Sequence, residues 1–184
     1  MKKILVVVDC QNDFITGSLK NEEAIKKVPN IVKKIHEFYG NKIYVTMDTH
    51  NPDYLETNEG KKLPVEHCIK YTEGWCINKN IKQALDEEEK NGIEIEYIEK
   101  PTFGSFELID QLTLDGRGEL EFEVEFVGFC TDICVVSNVL MTKAALYNKA
   151  DITVDASCCA GVTPESHNAA LLTMKMCQIN VVNE

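Results

Sequence analysis

Short apolar runs and helix-like periodic segments alternate along this chain of 184 residues. The run from Ile4 to Val8 is continuously apolar and stops at Asp9, which is typical of a strand buried on both faces. The next segment, Asn21 to Tyr39, places its apolar residues at helical spacing. Pro29 lies inside that segment and predicts a kink or a split. The chain therefore opens with a strand followed by a helix.

The same alternation continues along the rest of the chain. Lys42 to Met47 predicts a second strand, and an irregular segment of about 30 residues follows, a length that inside a compact domain is usually functional or disordered. The stretch "IEIEYIEK" alternates Ile and Tyr with Glu. This pattern indicates a strand at a sheet edge with one solvent-exposed face. The other predicted elements are helix 78–90, helix 106–112, strand 119–129, helix 131–148, strand 151–156, helix 164–177 and strand 178–182.

Six strands alternating with helices favour an α/β fold with a parallel sheet covered on both faces. We expect a three-layer α/β/α sandwich with a six-stranded, mostly parallel, Rossmann-like sheet, formed as a single domain by residues 1–184. Ligands of such sheets bind beyond the carboxyl ends of the strands, where the strand order reverses. The residues that follow strands are therefore the candidates for function: Asp9, Asp48, His50, Lys100 and the segment Cys130 to Cys134.

The charge and hydropathy of the chain argue against two classes of partner. The net charge is −11 and Arg117 is the only arginine, whereas nucleic-acid binders need basic surfaces to neutralise phosphates. No apolar run approaches the length of a membrane span. Asp9 interrupts the first apolar run and no small-residue cleavage site follows, so we expect a first strand rather than a signal peptide, and a cytoplasmic protein.

Eight cysteines and no secretory signal point to a reducing compartment, where most thiols behave as small buried hydrophobes. Cys130 and Cys134 are four residues apart. Four interpretations of this pair are open: a metal site, a disulfide, core packing, or a nucleophile at one of the two positions. No second pair stands at zinc-finger spacing, which disfavours a structural zinc site. The cysteines predicted to lie in the core are Cys10, Cys158, Cys159 and Cys177.

Asp9, Lys100 and Cys134 fit one mechanism, although each alone also suits an ordinary cap, a solvated charge or a core residue. Thr131 is predicted as an N-cap, which places Cys134 in the first helical turn. A helix N-terminus and a nearby ammonium both favour a thiolate, and Asp9 can act as general base and then as general acid. Backbone N–H groups of the first turn offer an oxyanion site.

The motifs "VVVDCQNDFITGSL", "MDTH", "LPVEHC", "EKPTFGSF" and "GFCTDICV" resemble those of the isochorismatase-like cysteine hydrolases, and among them the nicotinamidases. The resemblance covers nearly the whole chain. It implies an Asp–Lys–Cys triad of Asp9, Lys100 and Cys134 that cleaves small amides. It also implies a cis peptide bond at Phe129–Cys130, with the backbone N–H groups of Cys130 and Cys134 as the oxyanion hole.

The resemblance further implies a metal beside the triad. Asp48, His50 and His67 match the family's Asp-x-His pair and its last histidine, and they suit zinc, with iron or manganese as alternatives. The family's middle histidine is absent, so Glu56 is the expected fourth ligand and Glu59 is also in reach. The alternative is an ordinary loop with a capping Asp48 and surface histidines.

The expected substrate is a small amide that binds against Phe14. Trp75 and Phe103 are weaker candidates for contact with the substrate. The resemblance points to hydrolysis of nicotinamide to nicotinate and ammonia in NAD salvage, by an enzyme expected to be a homo-oligomer. Three alternatives stay open: another small amide or carbamoyl substrate, isochorismate hydrolysis, and a non-catalytic binding protein. Isochorismate hydrolases of this fold lack the thiol, and the complete triad disfavours a non-catalytic role.

Overall fold

A six-stranded sheet forms the centre of the protein. The structure, a computed structural model, describes residues 2–147 and 149–184. The strands are β1 (Lys2–Val8), β2 (Lys42–Asp48), β3 (Glu94–Lys100), β4 (Phe122–Phe129), β5 (Asp151–Ala160) and β6 (Asn180–Val182). The helices are α1 (Asn12–Ile15), α2 (Glu22–Glu37), α3 (Lys79–Lys90), α4 (Phe106–Asp115), α5 (Val136–Leu146) and α6 (Pro164–Met176).

All neighbouring strands of the sheet are parallel, in the order β3-β2-β1-β4-β5-β6. The order reverses between β1 and β4, so the crevice beyond their carboxyl ends is the expected ligand position. The Glu-rich β3 lies at one edge, as its alternating sequence predicts. These observations confirm the α/β prediction.

The two faces of the sheet bury separate sets of side chains. Alternate residues of a strand point to opposite faces, and in β1 Val6 and Val8 belong to one cluster while Leu5 and Val7 belong to the other. The first cluster is covered by α4, α5 and α6, through Leu108, Leu112, Val139, Leu171 and Met174. The second is covered by α2 and α3, through Ala24, Ile31, Ile35, Ile81 and Leu85. The result is the expected three-layer sandwich.

Several boundaries differ from the sequence prediction. Pro29 does not split α2, which runs unbroken from Glu22 to Glu37 with Asn21 capping its first turn and Val28 and Ile31 buried. Strand β5 extends to Ala160, beyond the predicted end at 156, because it pairs again with Phe129 after a shift in register. The end predicted for helix 131–148 lies at residue 148, outside the described residues.

The burial of the cysteines follows the prediction except at one position. Cys10, Cys158 and Cys159 are buried, whereas Cys177 is exposed. Cys177 is the C-cap of α6, where the chain leaves the helix and its side chain no longer faces the sheet. The prediction of a core position for Cys177 is wrong.

The helices of the described ranges 2–147 and 149–184 include none with the length and apolar character that a membrane span requires.

Gly128 allows β4 to pass close to β1 next to the candidate site. Its φ is +120°, and a Cβ atom there would lie 2.1 Å from the carbonyl oxygen of Val8. Gly92 has a similar φ of +99°, but no atom lies within 4 Å of the position of its Cβ. Both glycines therefore have a positive φ, which other residues adopt only at a cost, but only Gly128 also lies in close contact with another strand.

We predict that Gly128→Ala lowers the free energy of unfolding by about 3 kcal/mol or more, because a clash with backbone adds to the cost of positive φ. Gly92→Ala, which carries the backbone cost alone, should lose about 1 kcal/mol. Urea denaturation of both variants and the parent measures the difference. Equal losses in the two variants would contradict the close-contact argument.

Candidate functional site

An ammonium, two carboxylates and a thiol meet at the carboxyl edge of the sheet. Lys100 Nζ lies 2.6 Å from Asp9 Oδ2 and 3.7 Å from Asp48 Oδ1. The same nitrogen lies 3.5 Å from Cys134 Sγ. All four side chains are almost completely buried. The structure thus brings together the three residues of the expected triad, which come from three separate segments of the chain.

Neighbouring polar groups fix the orientation of this cluster. The hydroxyl of Thr46 donates a hydrogen bond of 2.7 Å to Asp9 Oδ1, and Lys100 Nζ donates one of 3.0 Å to the carbonyl of Thr102. Thr46 is not among the residues that the sequence predicts for the site. The strand period could have identified it, because Thr46 lies two residues before Asp48 on β2 and therefore points to the same face of the sheet.

Cys134 lies on a π-helical turn, Thr131–Val135, which precedes α5. The wider turn is defined by a hydrogen bond of 3.0 Å from the N–H of Val135 to the carbonyl of Cys130, five residues earlier. Single π turns are frequent at functional sites. The N-cap of the turn is Cys130 rather than the predicted Thr131. The hydroxyl of Thr131 instead contacts His167 Nδ1 at 2.8 Å.

The peptide bond between Phe129 and Cys130 is cis, as the family resemblance implies. It joins the end of β4 to the π-helical turn. Cys130 and Cys134 both line the same cavity, so the segment that holds the expected oxyanion N–H groups faces the space available to a ligand.

Burial is the largest influence on the pKa of the thiol. It raises the pKa of Cys134 well above the ordinary value, and the negative charge of Asp9 adds to the rise. Burial also raises the pKa of Asp9, against the opposing effect of Lys100. Burial alone would lower the pKa of Lys100, but Asp9 and the other acidic groups around it outweigh this effect and raise it. Burial therefore opposes the effect of the helix N-terminus and the ammonium, which favour a thiolate, and it makes Asp9 a better acceptor for the thiol proton.

A group of candidate metal ligands adjoins the cluster. One ligand atom from each of Asp48, His50 and His67 lies within 4.8 Å of the others. His67 Nδ1 lies 2.8 Å from the carbonyl of Val65, and a proton held there leaves Nε2 free to act as a ligand. Asp48 Oδ1 is buried and lacks a hydrogen-bond partner in the described part of the chain. This donor set fits a divalent transition metal.

Of the two candidate glutamates, Glu59 lies beside the histidines and Glu56 does not. Glu59 Oε1 is 3.7 Å from His50 Nε2 and 3.8 Å from His67 Nε2. Glu56 ends a short 3₁₀ turn, Tyr54–Glu56, and is exposed. The geometry therefore favours Glu59 over the expected Glu56 as a candidate fourth ligand, because the turn carries the earlier glutamate away from the imidazoles.

A cavity of about 740 Å³ opens over both groups. Phe14 and Phe103 line it, as expected, and Phe14 also packs edge-on against His67 with ring centroids 5.7 Å apart. Trp75 does not line it. Its indole N–H donates to the hydroxyl of Thr49 at 2.9 Å and its ring contacts Tyr71, so its position is that of a packing residue. The cavity also contacts Cys134, His67 and Glu59.

A parallel α/β sheet with a buried acid, lysine and cysteine at its switch point defines a class of hydrolase rather than a single enzyme. The sequence model of the isochorismatase domain matches residues 3–183. The chain therefore belongs to the isochorismatase family of hydrolases. No curated protein sequence matches the chain significantly.

Solved structures that are similar to this chain include three that carry the names nicotinamidase or pyrazinamidase. The nicotinamidase/pyrazinamidase PncA of Bacillus subtilis is 29% identical, with a TM-score of 0.81 and full coverage of both chains. The pyrazinamidase of Pyrococcus horikoshii in complex with zinc is 25% identical over 100% of both chains, with a TM-score of 0.74. The pyrazinamidase/nicotinamidase of Streptococcus mutans is 23% identical over 98% of this chain and 100% of its own, with a TM-score of 0.82, and supports the fold alone.

We predict that the protein binds one divalent transition ion per chain through Asp48, His50 and His67. His50→Ala should abolish this binding because it removes one of three direct ligands. Glu59→Gln should weaken binding by about tenfold or more, in the range found for groups that orient or complete a metal site. Elemental analysis and competition titration with a chelator measure both effects.

Glu56→Gln is the matched control, because it makes the same chemical change three residues earlier on an exposed side chain. Its metal affinity should equal that of the parent protein. Stoichiometric metal in His50→Ala, or equal losses in the two glutamate variants, would contradict the assignment.

Proposed function

We propose that this protein is a cysteine amidohydrolase that cleaves a small carboxamide through a thioester intermediate, with nicotinamide as the substrate and nicotinate and ammonia as the products. The observation that carries the proposal is the contact of Lys100 with both Asp9 and Cys134 at the base of a cavity large enough for a small ring amide. The residue roles below are part of the proposal.

In the first half-reaction, Cys134 Sγ attacks the carbonyl carbon of the amide while its proton passes to the carboxylate of Asp9. The raised pKa of Asp9 suits this transfer, because it makes the carboxylate a stronger base. The raised pKa of Cys134 opposes formation of a free thiolate, so the proton is transferred as the carbon–sulfur bond forms. Asp9 then gives the proton to the departing nitrogen, which leaves as ammonia. The C–N bond breaks and a thioester on Cys134 remains.

In the second half-reaction, Asp9 takes a proton from water, and the resulting hydroxide attacks the thioester. The carboxylic acid leaves and the thiol of Cys134 regains its proton. In both halves the negative oxygen of the tetrahedral species would accept hydrogen bonds from the backbone N–H groups of Cys130 and Cys134. The Lys100 ammonium stays charged throughout and stabilises the carboxylate of Asp9.

The candidate metal group supports a pyridine-type substrate. A divalent ion held by Asp48, His50 and His67 would supply a Lewis-acidic anchor for a ring nitrogen. Phe14, which lines the cavity and contacts His67, would pack against the ring. Fixing the ring in this way would orient the amide carbonyl toward Cys134, and such positioning supplies several kcal/mol of a reaction barrier.

The relatives support the same choice, since similar solved structures carry the names nicotinamidase and pyrazinamidase, one of them in complex with zinc. Another small amide or a carbamoyl compound is the second candidate, because the acid, lysine and thiol act on any accessible carboxamide. Isochorismate hydrolysis would leave the thiol without a role.

We predict that purified, zinc-loaded protein releases ammonia and nicotinate from nicotinamide with a kcat/KM above about 10⁴ M⁻¹s⁻¹, the lower end of the usual enzyme range. Chromatography of nicotinate and a coupled ammonia assay measure it across a panel that includes pyrazinamide, benzamide and a carbamoyl compound. A value below about 10² M⁻¹s⁻¹ with rapid turnover of another amide would replace the substrate and leave the thiol chemistry in place.

We predict that Cys134→Ala and Asp9→Asn each reduce kcat by about 10³-fold or more. The kcat of the double variant should equal that of the less active single variant. The losses are non-additive because the thiol and its base act in the same step. Both variants should keep the circular dichroism spectrum of the parent.

A nicotinaldehyde or another reactive carbonyl analogue should form an adduct at Cys134 that mass spectrometry locates. Cys177→Ser, at an exposed cysteine that caps the C-terminus of α6, is the control and should keep the adduct and the activity. An adduct at Cys130 instead, or an Asp9→Asn variant with most of its activity, would refute the assigned roles.

A further inference from the structure

Asn138 makes three hydrogen bonds from a fully buried side chain. It lies on α5, four residues after Cys134. Its Oδ1 accepts a hydrogen bond of 2.9 Å from the N–H of Ser105. Its Nδ2 donates to the carbonyl of Phe103 at 3.0 Å and to the carbonyl of Cys134 at 2.8 Å. Both amide hydrogens and the oxygen are therefore used, and all three partners are backbone groups.

The partners of Asn138 join two parts of the site. Phe103 and Ser105 belong to the loop 101–105, which follows Lys100 and is exposed over its first three residues. Phe103 lines the cavity, and the residue is 43% exposed, so its own packing holds it only weakly. The third partner, Cys134, is the proposed nucleophile. One carboxamide thus ties a wall of the cavity to the turn that carries the thiol.

The loop also approaches α5 closely at Gly104. A Cβ at that position would lie 2.4 Å from the sulfur of Met141. This contact fixes how near the loop can come to the helix, whereas the Asn138 amide supplies the directional bonds that hold it there. Without the amide, three backbone groups at the loop and the turn would lose a partner.

We propose that Asn138 is a positioning residue that clamps the loop 101–105, and with it Phe103, at a fixed distance from Cys134. The clamp sets the width of the cavity beside the thiol and so the fit of the substrate ring. This inference rests on the proposed amidase function for its effect on catalysis. Asn138 acts through its backbone partners and is assigned no contact with the substrate.

Thr142 provides a matched control on the same helix. Its hydroxyl donates a hydrogen bond of 2.8 Å to the carbonyl of Asn138, four residues earlier, and its side chain is also fully buried. A threonine at position 138 would make the same bond to the carbonyl of Cys134 but is too short to reach the loop. Asn138→Thr therefore keeps the bond within the helix and removes the two bonds to the loop.

The kinetic test compares Asn138→Thr with Thr142→Val, using nicotinamide or the best substrate of the amide panel. Asn138→Thr should raise KM by about tenfold, since two buried hydrogen bonds that hold a binding wall are lost, and should change kcat by less than about threefold, since the turn keeps its bond. Thr142→Val should change both constants by less than about twofold. Equal effects of the two variants would overturn the proposal.

A double-mutant cycle with Phe103→Ala tests the route of the effect. If Asn138 acts through Phe103, Asn138→Thr should raise KM by less than about twofold when Phe103 is already truncated. Multiplicative effects of the two substitutions would show that Asn138 affects binding by another route and would overturn the proposal.

Hydrogen exchange tests the clamp without any turnover. The amide of Ser105 should exchange at least about tenfold faster in Asn138→Thr than in the parent protein or Thr142→Val, because its acceptor is lost. Unchanged exchange would overturn the clamp, whatever the activity. Faster exchange in a protein that hydrolyses no amide would uphold the clamp and refute the proposed function. If Asn138→Thr does not fold, Asn138→Ser replaces it, because a serine hydroxyl also keeps the bond within the helix and does not reach the loop.

Discussion

The contact between Lys100 and Asp9 is the interaction on which the site depends. Both side chains are at least 99% buried, and Nζ lies 2.6 Å from Oδ2. Removing each charge from water costs several kcal/mol, and even a well-formed buried pair often contributes no net stability. The hydrogen bond from Thr46 to Asp9 and the one from Lys100 to the carbonyl of Thr102 offset part of that cost. The pair is therefore weak evidence for stability, and it fits the proposed chemistry on the adjacent thiol.

The sheet makes this pair part of a larger electrostatic unit. Asp48 pairs in register with Lys100 across β2 and β3, so the side chains at the ends of these two strands are neighbours. Asp48 Oδ1 lies 3.7 Å from Lys100 Nζ, and Asp48 Oδ2 lies 3.0 Å from His50 Nε2. One carboxylate is therefore shared by the proposed triad and the candidate metal ligands. A change in the charge of either group therefore affects the other through Asp48.

The features that sequence predicts well are those that follow from local periodicity or from position after a strand. The apolar runs predict the sheet, the alternating glutamates predict the edge position of β3, and the residues that follow the strands do meet at one edge. Burial effects are harder to predict. The protonation of Cys134 depends on how completely the cavity floor excludes water, and Cys177 is exposed although a cysteine is usually buried.

The irregular segment between β2 and α3 shows why the remaining contacts were not predictable. Long-range backbone bonds hold it: the N–H of His50 donates to the carbonyl of Cys68, and the carboxylate of Asp13 accepts from the N–H of Cys68. These bonds place His67, the neighbour of Cys68, beside His50. The spacing of residues along a loop carries no such information, because neither a helical nor a strand period applies to it. The sequence therefore led to Glu56 as the expected ligand with Glu59 also in reach, and only the course of the loop favours Glu59.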